Sequence, residues 1–191
     1  VAAAAITGGD LTITHAITQH MSGILIAFQR LGVQTHIDHD AQTIHVPGTQ
    51  DLSIHTKENG TIFDLKALQR PLFPPDLVHA AVVLALKSQG QAIFHNLMYE
   101  YSFFFVQELA KMKANIILAN PVSVITTGPT DFQAADLMCS DIIQAAYGLL
   151  LACLAAEGTS TLTAIHPLFR RFPDIVEKFN SLGAQIELVE E

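Results

Sequence analysis

Three stretches carry the reading: GDLTITHAITQHMSGILIAFQRLGVQTHID from Gly9 to Asp38, GQAIFHNLMYEYSFFFVQELAKMKANIIL from Gly90 to Leu118, and GTSTLTAIHPLFRRFPDIVEKFNSLGAQIELV from Gly158 to Val189. Each opens on glycine and a short alternating strand and then runs at helical period. Each closes on Leu or Met, a small or turn-forming residue, and a second alternating strand. The closing triplets are Leu31-Gly32-Val33, Met112-Lys113-Ala114 and Leu182-Gly183-Ala184. Gly9 to Leu31, Gly90 to Met112 and Gly158 to Leu182 span 22, 22 and 24 positions, so one unit has been used three times.

A second helix precedes each opening glycine. DLVHAAVVLAL from Asp76 and DIIQAAYGLLL from Asp141 match closely, and both start on Asp, whose carboxylate suits an N-cap. Val1 to Ile6 reads as the last turns of the first copy, stopped by Gly8-Gly9. No capping residue precedes it, and residue 1 is therefore expected not to be the natural start. The unit reads strand, helix, strand, strand, helix, in circular order. The helices Val78–Leu86 and Ala145–Ala156 are apolar nearly all round, the mark of helices buried on every side. The strands Leu11–Thr14, Thr43–Val46 and Ser53–Thr56 alternate, the mark of sheets with one wet face. Buried helices inside half-exposed sheets invert the layering of a TIM barrel. The expectation is an α/β fold, an inside-out barrel in one domain over 1–191, with repeats at about 1–70, 71–135 and 136–191.

Bulk properties narrow the function. Charged residues are 15% of the chain, below the usual share of about 25%. The shortfall points to apolar surface meant for a partner or a further domain. A net charge of −8 argues against nucleic acid as a partner. Two cysteines, Cys139 and Cys153, make no disulfide framework, and a reducing, cytoplasmic setting is the simpler reading. The longest apolar stretch, Ala145 to Ala156, is too short for a bilayer, which needs about 20 residues, so no membrane association is expected. No P-loop or GxGxxG occurs. Nine histidines include His36-x-x-His39 and His15-x4-His20, but neither pair carries zinc-type spacing, and no metal or cofactor is expected. Phe103-Phe104-Phe105 reads as core, and Cys153 as an inert buried thiol.

The ordered set of local motifs resembles a known family. LFPPDLVHAA is similar to the Gly-Phe-Pro-Thr-Asp-Leu segment of UDP-N-acetylglucosamine enolpyruvyl transferases, and VAAAAITGGDLTI to their Ala-Ala-Ile-Thr-Gly-Gly segment. GPTDFQAADLMCSDIIQAAYGLLLACLAAEGTSTLTAIHPLFRRFPDIVEKFNSLGAQIE resembles their C-terminal third. The resemblance implies a two-domain enzyme, each domain of three βαβαββ units, with the active site between them. It implies transfer of enolpyruvyl from phosphoenolpyruvate to the 3-hydroxyl of UDP-N-acetylglucosamine, the opening step of peptidoglycan synthesis. This chain then corresponds to the C-terminal domain, without its N-terminal partner, and is expected to be inactive alone.

The same resemblance suggests roles. Asp76 matches the aspartate that contacts the sugar hydroxyl, a candidate general base. Asp141 matches an aspartate implicated in proton transfer. Arg170 matches an arginine that binds phosphoenolpyruvate, for which a guanidinium fork is suited. Met98 joins Asp76 and Arg170 among the substrate-binding positions. The bland readings are a helix N-cap for each aspartate and a surface arginine beside Arg171. Two family arginines are replaced here, by Ser102 and Ile143. Each lost charge-assisted bond removes about 1.5–3 kcal/mol of anion binding. The family's cysteine, lysine and asparagine fall in segments outside this chain, and Cys139 and Cys153 do not stand in for them. The rival reading is a non-catalytic relative that keeps a sugar-nucleotide or protein-binding surface.

Overall fold

The computed structural model describes residues 1–56, 60–69 and 72–189. The expected junction of the first two repeats, at 70 and 71, lies outside them. The described part is an α/β structure with three sheets.

The first sheet holds β1 (Leu11–Ile13), β2 (His36–Asp38) and β3 (Thr43–Val46), with β3 between the other two and antiparallel to both. The second holds β4 (Phe63–Ala67), β5 (Gly90–Asn96), β6 (Ile116–Asn120) and β7 (Ser123–Gly128) in the order β4-β5-β7-β6. Here β4 runs parallel to β5, and β7 runs antiparallel to both β5 and β6. The third pairs β8 (Asp136–Met138) in parallel with β9 (Thr161–Thr163). A strand that the periodicity did not isolate, β4 or β8, thus precedes the second and third interior helices.

Those interior helices are α1 (Ala2–Thr7), α3 (Val78–Lys87) and α5 (Ile143–Leu154), and each touches the other two. All nine residues from Val78 to Leu86 are buried, as the all-round apolar reading of this helix requires. At about 1.5–3 kcal/mol for each large aliphatic side chain, this helix is a major source of stability. The outer helices α2 (Ser22–Arg30) and α4 (Val106–Lys111) connect strands, and α6 (His166–Arg171) and α7 (Ile175–Ser181) follow β9. β4 shows the half-wet pattern of a sheet strand, Phe63, Leu65 and Ala67 buried and Asp64 and Lys66 exposed. The inward Phe63 meets Phe94 of β5 edge-on at 6.2 Å and carries the Arg30 guanidinium at 4.7 Å.

The repeat is visible in the backbone. The middle residue of each closing triplet has positive φ: 92° at Gly32, 66° at Lys113 and 97° at Gly183. The next amide then donates back to the outer helix: Val33 to Phe28 O at 3.0 Å, Ala114 to Leu109 O at 3.1 Å, Ala184 to Phe179 O at 3.0 Å. Such reversals satisfy the orphan carbonyls of a helix end. At Gly8, φ of 71° ends α1 as the Gly8-Gly9 pair predicts.

Four local expectations are corrected. Asp76 and Asp141 are not N-caps: α3 starts at Val78 after a 3-10 turn over Pro75–Leu77, α5 starts at Ile143, and neither helix start has a side-chain cap. Proline ahead of Asp76 favours that tight turn, and both carboxylates are turned to other partners. Ser53–Thr56 is not a ladder strand. Ser53 makes one bridge with Gln89, and His55 N–H donates to Arg30 O at 2.8 Å, so the segment serves the end of α2. Residues 184–189 also lie outside any ladder. Phe103 and Phe105 are core, whereas Phe104 is 46% exposed.

Candidate functional site

The beginnings of α3 and α5 and the loop after β5 meet at a cleft of about 470 Å³. Met98, Asp141 and Arg170 line it. Asp76 lies just behind: its Oδ1 accepts a 2.7 Å hydrogen bond from Gln144 Nε2, and Gln144 lines the cleft. The four site residues inferred from sequence, drawn from four separate segments, are therefore neighbours. Both helices present their N-terminal ends here, where the partial positive charge of the helix favours negative groups. Asp76 and Asp141 occupy that field without capping. Asp141 is nearly fully exposed, with His166 Nε2 3.5 Å from its Oδ1.

Arg170 comes from α6, a six-residue helix entered through Pro167. The end of α6 is tied to α5 by Phe172, whose ring is 5.7 Å from that of Tyr147. Burial pushes the Tyr147 hydroxyl's pKa up, keeping it neutral. Among the described residues lining the cleft, Arg170 is the one Lys or Arg, against the carboxylates of Asp141 and Glu100.

The two substituted positions also line the cleft. Ser102 is 1% exposed and structural. Its hydroxyl accepts from Asn96 Nδ2 at 2.9 Å, and its carbonyl accepts from His79 Nε2 at 2.8 Å. Asn96 Oδ1 in turn accepts from the Met98 and Tyr99 amides, both at 3.3 Å. This network fixes the loop that carries Met98. Ile143 contributes an apolar side chain at the start of α5.

His79, Glu100, Gln144 and His166 escaped the sequence reading. A signal existed for two of them: His79 and Gln144 each follow an aspartate by three residues, which is one helical turn. His79 packs against Phe105, with ring centroids at 4.8 Å. Its Nδ1 is buried without a partner among the described residues. Burial lowers its pKa to about 4 from 6.5, outweighing the Ser102 bond and the charge of Asp76, which raise it. The unfolded chain therefore binds a proton between these values that the folded chain refuses. Stability is then expected to fall by about 3 kcal/mol as pH drops from about 6.5 to about 4. Urea unfolding at pH 7 and pH 4 checks this. The pH-dependent loss should shrink by that amount in His79→Leu, and an equal loss in both proteins would refute it.

The thiols offer no nucleophile. Burial pushes Cys139 up to about 12 and Cys153 up to about 11. Among the described residues, no group of three or more His, Cys, Asp or Glu could hold a metal ion. No helix of the described residues is long and apolar enough to cross a membrane.

Comparison with known proteins identifies the family of the chain. The UDP-N-acetylglucosamine 1-carboxyvinyltransferase of Bradyrhizobium diazoefficiens is 35% identical over 188 residues, covering 98% of this chain and 43% of its own length. That of Borreliella burgdorferi is 33% identical, covering 99% and 44%. The chain thus spans less than half the length of these relatives. Among solved structures, the enolpyruvyl transferase NikO from Streptomyces tendae matches with a TM-score of 0.77 and 24% identity, over 97% of this chain and 42% of its own. An EPSP synthase from Acinetobacter baumannii matches at 0.71 and 17%, over 99% and 45%. These two share the fold. The model of the EPSP synthase (3-phosphoshikimate 1-carboxyvinyltransferase) family matches residues 1–179, and with nearly the whole chain inside that match, the chain belongs to this family.

Proposed function

We propose that the chain is one domain, residues 1–191, of a cytoplasmic enzyme that moves enolpyruvyl from phosphoenolpyruvate to UDP-N-acetylglucosamine in peptidoglycan synthesis. The domain is an inside-out α/β barrel of three repeats, and an N-terminal domain supplies the other wall of the site. One observation carries this reading: Met98, Asp141 and Arg170 line one cleft, and Asp76 is hydrogen-bonded to Gln144 in its wall. In it, Asp76 takes the proton of the attacking sugar hydroxyl, held by Gln144 in a defined orientation. Asp141 handles the proton exchanged at the enolpyruvyl methylene carbon. Arg170 binds an anionic group of phosphoenolpyruvate. Met98 packs on the substrate from a loop fixed by Asn96 and Ser102. No cofactor enters, since the reaction is an addition followed by an elimination of phosphate.

A second reading is favoured by a specific observation. Ser102 is committed to a buried structural network and Ile143 is apolar, so two cationic anchors of the family are absent. A relative that retains a sugar-nucleotide or protein-binding surface without transfer fits those positions. Phosphate release from phosphoenolpyruvate by the full-length polypeptide, with UDP-N-acetylglucosamine present, separates the two. Turnover is expected from the full polypeptide and none from residues 1–191 alone. A folded full-length protein without turnover would sink the enzyme reading.

A further inference from the structure

His79 and Gln144 hold the same place in two copies of the repeat, each three residues after its aspartate: Asp76-Leu77-Val78-His79 and Asp141-Ile142-Ile143-Gln144. Both side chains reach away from their own helix. Gln144 crosses from α5 to Asp76. His79 crosses from α3 to the segment after β5, where its Nε2 lies 2.8 Å from Ser102 O. A carbonyl oxygen only accepts, so the hydrogen of the neutral ring is on Nε2, and Nδ1 carries a bare lone pair. That Nδ1 is buried with no partner among the described residues. A buried acceptor without a donor costs stability, and an apolar side chain at this place would avoid the cost. What the ring gives in return is the bond on its other nitrogen.

The ring is gripped so that this bond has one direction. Phe103 and Phe105, from the same segment as Ser102, pack on it with ring centroids 5.7 and 4.8 Å away. On the α5 side, a Cβ at Gly148 would lie 3.1 Å from His79 Cβ and 3.1 Å from Phe105 Cε2, so α5 packs down where it has no side chain. A lysine or arginine in place of His79 would bury a charge among these rings, whereas the neutral imidazole donates without one. Other bonds tie the segment to its sheet. Asn96 N–H donates to Val122 O at 2.9 Å, and Tyr101 N–H donates to Pro121 O at 3.2 Å. Asn96 Nδ2 donates to Ser102 Oγ, and Asn96 Oδ1 accepts from the Met98 and Tyr99 amides. The bond from His79 adds the crossing to α3, whose preceding turn carries Asp76.

We infer that His79 is a positioning residue for the sugar nucleotide: through Ser102 and Asn96 it holds Met98 and Tyr99 at a fixed distance from Asp76. The inference rests on the transferase reading above and deepens it. Met98 and Tyr99 both line the cleft, and a binding wall held in place before the substrate arrives loses less freedom when it binds. His79 itself takes no proton from the substrate and gives none. Its effect is on affinity, and it acts by donating from Nε2 to a backbone oxygen rather than by filling space.

The full-length polypeptide, as wild type, His79→Leu and His79→Gln, tests this. Leucine keeps apolar bulk and cannot donate, whereas glutamine keeps a donor without the ring. In His79→Leu, KM for UDP-N-acetylglucosamine is expected to rise about fivefold to tenfold, as loss of one neutral hydrogen bond allows, with kcat changed less than about twofold. His79→Gln should return KM to within about twofold of wild type. The Met98 and Tyr99 amides should exchange at least about 10-fold faster in His79→Leu and at the wild-type rate in His79→Gln, with the Val82 and Leu84 amides of α3 unaffected. A proton–nitrogen correlation spectrum of the wild type at neutral pH should show the His79 hydrogen on Nε2 and a bare Nδ1, a readout that needs neither variant. A folded His79→Leu protein with wild-type KM would overturn the proposal. So would equal impairment of the two variants, which would make the ring's packing the cause, or a hydrogen on Nδ1. A wild-type polypeptide that turns over no sugar nucleotide would instead sink the transferase reading, and the exchange rates and the tautomer would still decide whether His79 holds the loop.

Discussion

Replacing Asp76 with alanine in the full-length polypeptide is expected to lower turnover by roughly 10²–10⁴-fold, the usual contribution of a positioned general base. The carboxylate sits in the 3-10 turn ahead of α3, just behind the cleft, and Gln144, which lines the cleft, holds one of its oxygens at 2.7 Å. In the proposed role, the other oxygen takes the substrate hydroxyl. Asp76→Asn separates basicity from structure, because an amide oxygen can still accept from Gln144 but takes no proton at neutral pH. If Asp76 is the base, Asn and Ala lower kcat to the same extent, with KM for the sugar nucleotide less affected and the melting temperature unchanged. If the residue merely props Gln144, Asn restores activity. Phosphate release at saturating substrate, with a parallel thermal melt, decides between them.

The largest effect on stability is expected at Gly32. Its φ is +92°, and a Cβ there would lie 2.3 Å from Ser53 N, 2.8 Å from Asp51 O and 2.8 Å from Leu52 Cα. All three are backbone atoms of the segment that crosses the end of α2, so no rotamer change relieves the clash. Gly183 is the natural control: it has the same place in the third repeat and φ of +97°, yet nothing within 4 Å of its would-be Cβ. Gly183→Ala should cost only the backbone strain, about 1 kcal/mol. Gly32→Ala adds overpacking to that strain and should cost about 3–5 kcal/mol, a large part of a domain's usual 5–15 kcal/mol. Urea unfolding of both variants reads the difference directly, and equal midpoints would refute the steric argument.

Much of this was legible because the interior helices and the closing turns have strong local signatures. Eight apolar residues of the nine from Val78 to Leu86 admit no wet face, and the closing triplets announce a reversal whatever surrounds them. The capping of Asp76 and Asp141 was misread because the rule for Asp before an apolar helix ignores what precedes it. Pro75 moved one helix start, and cross-helix partners, Gln144 and His166, sit beside the carboxylates. Those contacts join residues 68 apart and 25 apart in number (144 − 76 and 166 − 141), which no local pattern encodes. FDLKA over 63–67 does alternate as a strand should. It falls outside the unit marked by the opening glycines, because β4 lies before the interior helix. His79 was hidden by composition: one polar residue in a helix otherwise apolar reads as an exception, and its pairing to the Ser102 carbonyl depends on a loop 23 residues away.

The mutual contact of α1, α3 and α5 also constrains the order in which the molecule can be made. As the ribosome delivers the chain, α1 emerges before α3, but the third helix of the trio begins only at Ile143. Until then the apolar surface of α3 lacks one of its two helical neighbours and stays open to water or to wrong partners. Contacts between such distant parts of a chain must also overcome loop-closure entropy before they return any stability, which slows folding. The nascent chain is therefore expected to be most open to misassociation until α5 has been synthesised, and a pause in translation before Ile143 is expected to be more hazardous to it than one after Leu154.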